Sequence, residues 1–297
     1  MNKVIIRLYA MDMDNNMKQI RLVLISTMML NLAVSLLKII YGMITHSVSI
    51  YSDGFHSGFD GISNVVGLVG LRFAYIPPDA EHPYGHRKVE ILLTVFIALM
   101  MFFACFEIFR NVYETFTNKP ELKISAGSFV LMLATLGVNV FVNTYEQRMG
   151  KKLNSEFLTA DAAHTRSDIY VTAGVLIALA LSKLGLGYAD MVVGAIVGVL
   201  VAWSGMEILK SDISILIDTN QIDTRLLYEI VNNIDGVTGS HKIRTRGSKG
   251  CVFVDLHIFV DPTLTVARGH EIAHEVVHAI KFNMDGIADV VVHIEPG

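Results

Sequence analysis

The sequence predicts an α-helical membrane domain of six transmembrane helices, followed by an α+β cytoplasmic C-terminal domain of order α-β-β-α-β. Three observations carry this. Hydrophobic residues make up 52% of the 297-residue chain, and mean hydropathy is +0.49. Apolar stretches recur near 20–45, 48–75, 89–116, 124–146, 156–182 and 188–211, each with the roughly 20 residues that an α-helix needs to cross about 30 Å of hydrocarbon. Beyond Ser211 charge becomes frequent, and short strand-like and helical patterns alternate. The expected organisation is a cytoplasmic segment 1–19, a transmembrane domain 20–211 and a cytoplasmic metal-binding domain 212–297. The first twenty residues are polar and Met-rich with no small-residue cleavage site, so no cleaved leader is read there.

Charge placement sets the expected orientation. Arg7, Lys18 and Arg21 precede the first helix, Arg87 and Lys88 follow the second, and Arg148, Lys151 and Lys152 follow the fourth. Positive charge favours cytoplasmic loops, so both termini are expected in the cytoplasm. Residues 214–297 hold 11 acidic and 7 basic side chains, which accounts for the whole net charge of −4. A mildly acidic tail argues against nucleic acid as a partner. Cys105 lies in a helix and Cys251 in the tail, which gives no disulfide framework.

Ionisable residues inside the apolar stretches carry the chemistry. Helix two contains Asp53-x-x-His56-x-x-x-Asp60, and helix five contains Asp161-x-x-His164-x-x-x-Asp168. Positions i and i+4 share a helix face, so His56 pairs with Asp60, and His164 with Asp168. An Asp at the bilayer centre costs about 2.5–3.5 kcal/mol even on the lenient insertion scale, more than helix-gluing hydrogen bonds explain. Two facing pairs supply two imidazole nitrogens and two carboxylate oxygens, a tetrahedral set suited to Zn2+. Two imidazoles count against Mg2+, Ca2+ and Mn2+, while Cd2+, Co2+ and Fe2+ stay open. Asp53 and Asp161, one turn earlier, are accessory candidates for cation or proton access. With the amino terminus inside, helices two and five run antiparallel, the inverted arrangement of many secondary transporters with a site near the midplane. Gly54, Gly58, Gly61, Gly67 and Gly70 allow close helix contact along helix two.

Two further clusters stand outside the apolar stretches. Asp79, His82 and His86 in the loop after helix two have chelating residue types, with a solvated connector as the plain alternative. In the tail, helices over 222–234 and 264–282 and strands over 240–247, 251–260 and 289–294 suit a small open-faced sandwich. Six of the eleven histidines fall there: His241, His257, His270, His274, His278 and His293. His270-Glu271-x-x-His274 and His274-Glu275-x-x-His278 both match the helical zinc-protease pattern H-E-x-x-H. A zinc-dependent membrane-anchored protease is therefore the alternative from another class. Against it stand the small domain and the overlap of the two copies, which reads as a histidine stripe at i, i+4, i+8.

These residues resemble the cation diffusion facilitator family over nearly the whole chain. The resemblance rests on the two Asp-x-x-His-x-x-x-Asp segments, the Asp79…His82…Tyr84-Gly85-His86-x-Lys88-x-Glu90 loop and Leu216-Ile217-Asp218 at the exit of helix six. It implies a transporter and no enzyme, with His56, Asp60, His164 and Asp168 as transport site in the zinc-preferring pattern. It also implies a loop site at Asp79, His82 and His86, and a binuclear tail site at His241, His257, His270 and His293, with Glu295 where an Asp is often found. A charge pair of Lys88 and Asp218 near a dimer interface, homodimers in the lipid bilayer and protons as counter-substrate follow from the same resemblance. Zn2+ is then both substrate and structural or regulatory ion. Short loops and a compact tail suggest a bacterial inner membrane. A metal sensor without transport is the third reading.

Overall fold

In the computed structural model the backbone is described for residues 3–44, 48–118, 126–184 and 188–297. Side chains are described from residue 15 on, except at 48–56, 59, 60, 62, 63, 118, 126, 128, 179, 182, 183 and 190. The chain divides into two compact units, Met1–Lys210 and Ser211–Gly297.

The first unit is built from long helices: α1 (Lys3–Ile44), α2 (Val48–Ala74), α3 (Lys88–Asn118), α4 (Ala126–Leu153), α5 (Glu156–Lys183) and α6 (Ala189–Leu216), the last running on into the second unit. Helix α1 begins well before residue 20, so the polar leading segment continues the first helix. Among the described residues four stretches are long and apolar enough to cross a bilayer: Asn15–Ile44, Lys88–Thr117, Phe129–Leu153 and Met191–Leu216. Helices α2 and α5 are of similar length and carry the ionisable residues of the repeats; within the described part of α2, Asn64–Ala74 is a shorter apolar stretch.

Helix α1 packs on α2 and α4, α3 on α2 and α5, and α4 on α5. Small residues make the closest approaches: a Cβ at Gly67 of α2 would overlap the ring of Phe157 in α5. Ile20, Leu24, Leu71, Ile97, Met101, Phe157 and Leu158 form the buried centre. Much of the remaining apolar surface, such as Leu37, Phe103 and Trp203, points outward, as expected where lipid is the solvent.

The start of α5 is fixed with care. Ser155 caps it, its Oγ accepting from the Leu158 amide at 3.3 Å while donating to Glu90 Oε1 at 2.6 Å. The same carboxylate oxygen accepts from the Phe157 amide at 3.2 Å, and Glu90 Oε2 lies 3.3 Å from Arg87 Nη1. Glu90 is 1% exposed, so α3 holds α5 through a buried charge that three donors satisfy.

The second unit has α7 (Thr224–Asn232), β1 (Gly239–Ser248), β2 (Cys251–Val260), α8 (Val266–Asn283) and β3 (Ile287–Pro296), the α-β-β-α-β order of the sequence reading. The sheet order is β1-β2-β3, with β1 antiparallel and β3 parallel to β2. Asp223 and Thr265 cap the two helices through their side-chain oxygens. Alternation in β2 sends Val252, Val254, Leu256, Ile258 and Val260 into a core shared with Leu227 and Val231 of α7 and Ile272, Val276 and Ile280 of α8. Residues 253, 255, 257 and 259 take the other, half-open face.

Candidate metal centres

In α5, Asp161, His164, Thr165 and Asp168 fall on one face by i+3, i+4 and i+7 spacing. Asp161 is 3% and His164 8% exposed. His164, Thr165 and Asp168 line a cavity of about 240 Å3 inside the helical unit, together with Lys38 of α1, Ser57 of α2, Glu107 of α3 and Asn139 of α4. Five helices thus each bring a polar side chain to a cavity otherwise lined more by apolar than by polar residues. The sequence-predicted partners in α2 have their backbone on the helix, but the side chains of Asp53, His56 and Asp60 lie outside the described residues. Ser57, the residue after His56, is described, and it borders the same cavity as His164 and Asp168.

Two charged residues of this unit were not singled out from the sequence. Lys38 is 7% exposed, and its Nζ donates to Ser57 Oγ at 2.8 Å, tying α1 to α2 beside the cavity. Glu146 of α4 is fully buried; its Oε2 accepts from Thr165 Oγ1 at 3.3 Å, and its carboxylate lies within Coulombic reach of Asp161 and His164. Asn143, one turn earlier in α4, donates its side-chain amide to the Ala162 carbonyl. An ionisable residue within an apolar helix was the available signal for both; Lys38 stands alone in its stretch and Glu146 at the edge of another, outside the repeats.

The loop residues Asp79, His82 and His86 come together, with a ligand atom of each within 4.8 Å of the others. Asp79 Oδ1 accepts from the amides of Glu81 (3.0 Å) and His82 (2.6 Å) and lies 3.3 Å from His82 Nδ1. The His82 amide holds the Asp79 carboxyl below the ordinary carboxylate range. Gly85, at φ +79°, takes the left-handed turn that brings His86 back onto Asp79. His86 Nδ1 faces the Ile76 carbonyl at 3.3 Å, an acceptor only, so Nδ1 carries the proton. Its Nε2 is then turned towards Asp79 Oδ2, 3.6 Å away. An imidazole nitrogen facing a carboxylate oxygen is an arrangement a shared cation completes.

In the tail, His241, His257 and His293 form one row across the sheet, because His241 is the register partner of His257 and His257 that of His293. The row sits on the half-open face, opposite the helices. Glu295, two residues on from His293 and so on the same face, places Oε1 2.7 Å from His257 Nδ1 and Oε2 2.9 Å from His241 Nε2; His293 Nε2 is 3.8 Å from Oε1. The hydrogen bond with His257 holds the Glu295 carboxyl below its ordinary range. His241, His257 and Glu295 bring a ligand atom each within 4.8 Å of one another, and imidazole with carboxylate is a set that fits zinc. A bulge makes the row: the ladder shifts register between His241 and Arg244, with Lys242 at φ +49°.

His270 stands apart from this row. It lies exposed on α8 with its ring 4.5 Å from that of His274, and His278 is exposed on the same helix. Glu271, the base that a protease reading needs, is paired with Arg268 at 3.0 Å on the open surface. Lys88 opens α3 in the first unit and Asp218 follows α6 in the second.

A helical membrane unit with a buried His/Asp face on a cavity, joined to a small α+β domain with clustered imidazoles, defines a membrane transporter for metal cations. Family models agree: the cation efflux transmembrane domain matches residues 24–217, and the cation efflux protein cytoplasmic domain matches residues 220–297. The chain belongs to the cation diffusion facilitator family, and is a cation efflux transporter and not an enzyme. It is 31% identical to an uncharacterized transporter of Methanocaldococcus jannaschii, over 94% of this chain and 99% of that one. It is 30% identical to the manganese efflux system protein MneS of Bacillus subtilis, over 89% and 91%. With the cation-efflux pump FieF of Pectobacterium atrosepticum it shares 29% identity over 85% and 84%.

Proposed function

We propose that this transporter exports Zn2+ across a bacterial inner membrane in exchange for protons, as a homodimer of six-span protomers with both termini in the cytoplasm. The observation that carries the reading is that His164 and Asp168, one helical turn apart, both line a cavity inside the helical unit, on the helix that repeats the pattern of α2. In this reading His56 and Asp60 complete the site. Two imidazoles favour zinc over harder ions; relatives named for manganese efflux make Mn2+ the first competitor.

Binding needs deprotonated ligands, so zinc and protons compete for the four residues. Cytoplasmic zinc displaces protons, the helices rock, and external protons release the metal. The loop trio and the histidine row serve as cytoplasmic metal sites. His270 projects from the helix layer of its own domain, so in this reading it joins the row of the second protomer.

The test is flux into proteoliposomes with Zn2+, Mn2+, Cd2+, Co2+ and Fe2+ in competition, across a pH series, for wild type and Asp168→Ala. Zinc preference with coupled proton movement, lost in the variant while the dimer persists, is expected. Normal flux by Asp168→Ala, or binding without flux in wild type, overturns the reading.

A further inference from the structure

Behind the transport cavity lies a second pair of buried carboxylates. Glu146 is 0% and Asp161 3% exposed, and the two are close enough to interact electrostatically. Thr165 stands between this pair and the cavity. Its hydroxyl lies 3.3 Å from Glu146 Oε2 and 3.2 Å from the Asp161 carbonyl oxygen, and the same residue lines the cavity beside His164 and Asp168. Glu146 Oε1 is fully buried and has no partner in good hydrogen-bond geometry among the described residues, although the Thr27 hydroxyl also lies close enough to favour the carboxylate. A buried carboxylate oxygen left so costs a large part of its hydration unless a proton or a cation meets it.

We propose that Glu146 and Asp161, with the Thr165 hydroxyl, form a second intramembrane station for a partly hydrated divalent cation. It sits on the side of the transport site nearer the α4–α5 connection. This rests on the reading of His164 and Asp168 as transport ligands. Glu146 lies about two turns before the end of α4, and Asp161 little more than one turn into α5, so the station lies between the His/Asp pair and that connection. Its donors are oxygens only. For zinc such a set is weaker than one with imidazoles, and weak binding is what an entry point requires if the ion is to pass on. The α5 face then presents an oxygen pair followed by the His/Asp pair, joined at Thr165.

The test is Glu146→Gln in the full chain. Glutamine keeps an acceptor for Thr165 and removes a buried charge, so a packing role survives the change. Loss of the station is expected to raise the half-saturating zinc concentration from the α4–α5 side about ten- to a hundredfold, with maximal rate largely kept and partial return in Glu146→Asp. Equilibrium dialysis of the solubilised chain against zinc, with Glu146→Gln beside wild type, gives a readout independent of flux. Loss of one weakly bound zinc supports the station even if wild type proves not to transport. Unchanged half-saturation and unchanged zinc stoichiometry overturn it, as does a variant in which only the pH dependence of flux changes, since Glu146 would then carry protons alone.

Discussion

Ser155 and Glu90, 65 residues apart in sequence, meet in a 2.6 Å hydrogen bond that seats the first turn of α5 on the first turn of α3. Everything α5 displays further along, His164 and Asp168 included, is aimed from this joint.

Glu90→Ala removes the acceptor for Ser155 and for the Phe157 amide and leaves Arg87 beside an emptied partner. Breaking a buried charged network from one side costs roughly 3–5 kcal/mol. The expected outcome is a lower thermal unfolding midpoint of the detergent-solubilised chain and reduced flux. Glu90→Gln keeps the acceptor and is expected to fall between the two.

His56→Asp replaces an imidazole by a third carboxylate in the proposed transport set. Oxygen-rich sites suit Mn2+ better, so the ratio of manganese to zinc flux in competition assays is expected to rise about tenfold or more, the scale of shell changes at metal sites. An unchanged ratio would place selectivity outside α2.

Asp79 has a carboxyl held low by the His82 amide. Its contribution to the loop is therefore fully present above the ordinary carboxylate range, and is lost only as pH falls through the lowered value. Amide exchange at Glu81 and His82 is expected to stay protected through mildly acid pH and to open below it. Asp79→Ala should open both amides at every pH and weaken metal retention by the loop.

Glu295 is the carboxylate common to the tail histidines, so Glu295→Gln is expected to lower zinc affinity of the tail by at least about tenfold, read by chelator competition on the full chain. Zinc at about 100 times its dissociation constant stabilises a folded domain by about 2.7 kcal/mol, and the zinc-induced rise in the tail's unfolding midpoint should shrink in the variant.

The sequence carried the order α-β-β-α-β and the His/Asp face of α5, because both follow from local periodicity. Polar partnerships across helices were less legible. Glu146 meets Asp161 and Thr165 only through the packing of α4 on α5, and Glu90 meets Ser155 only through α3 on α5. The tail shows the same limit. Six histidines look alike along the chain, yet strand register gathers His241, His257 and His293 into a row, while helical spacing sets His270, His274 and His278 on another surface. The bulge that selects His241 leaves no mark in hydropathy, since its positive-φ residue is Lys242 rather than the usual glycine.

That bulge decides the sign of the charge at the centre of the tail. Carried inward from Ser248↔Cys251 without interruption, the ladder would set Lys242 opposite His257, an ammonium where a metal needs a lone pair. The register shift passes Lys242 over and delivers His241 instead. Deleting Lys242 would straighten β1, keep His241 opposite His257 and remove a cation from the neighbourhood of Glu295. For this domain, one residue fewer is expected to bind zinc more tightly.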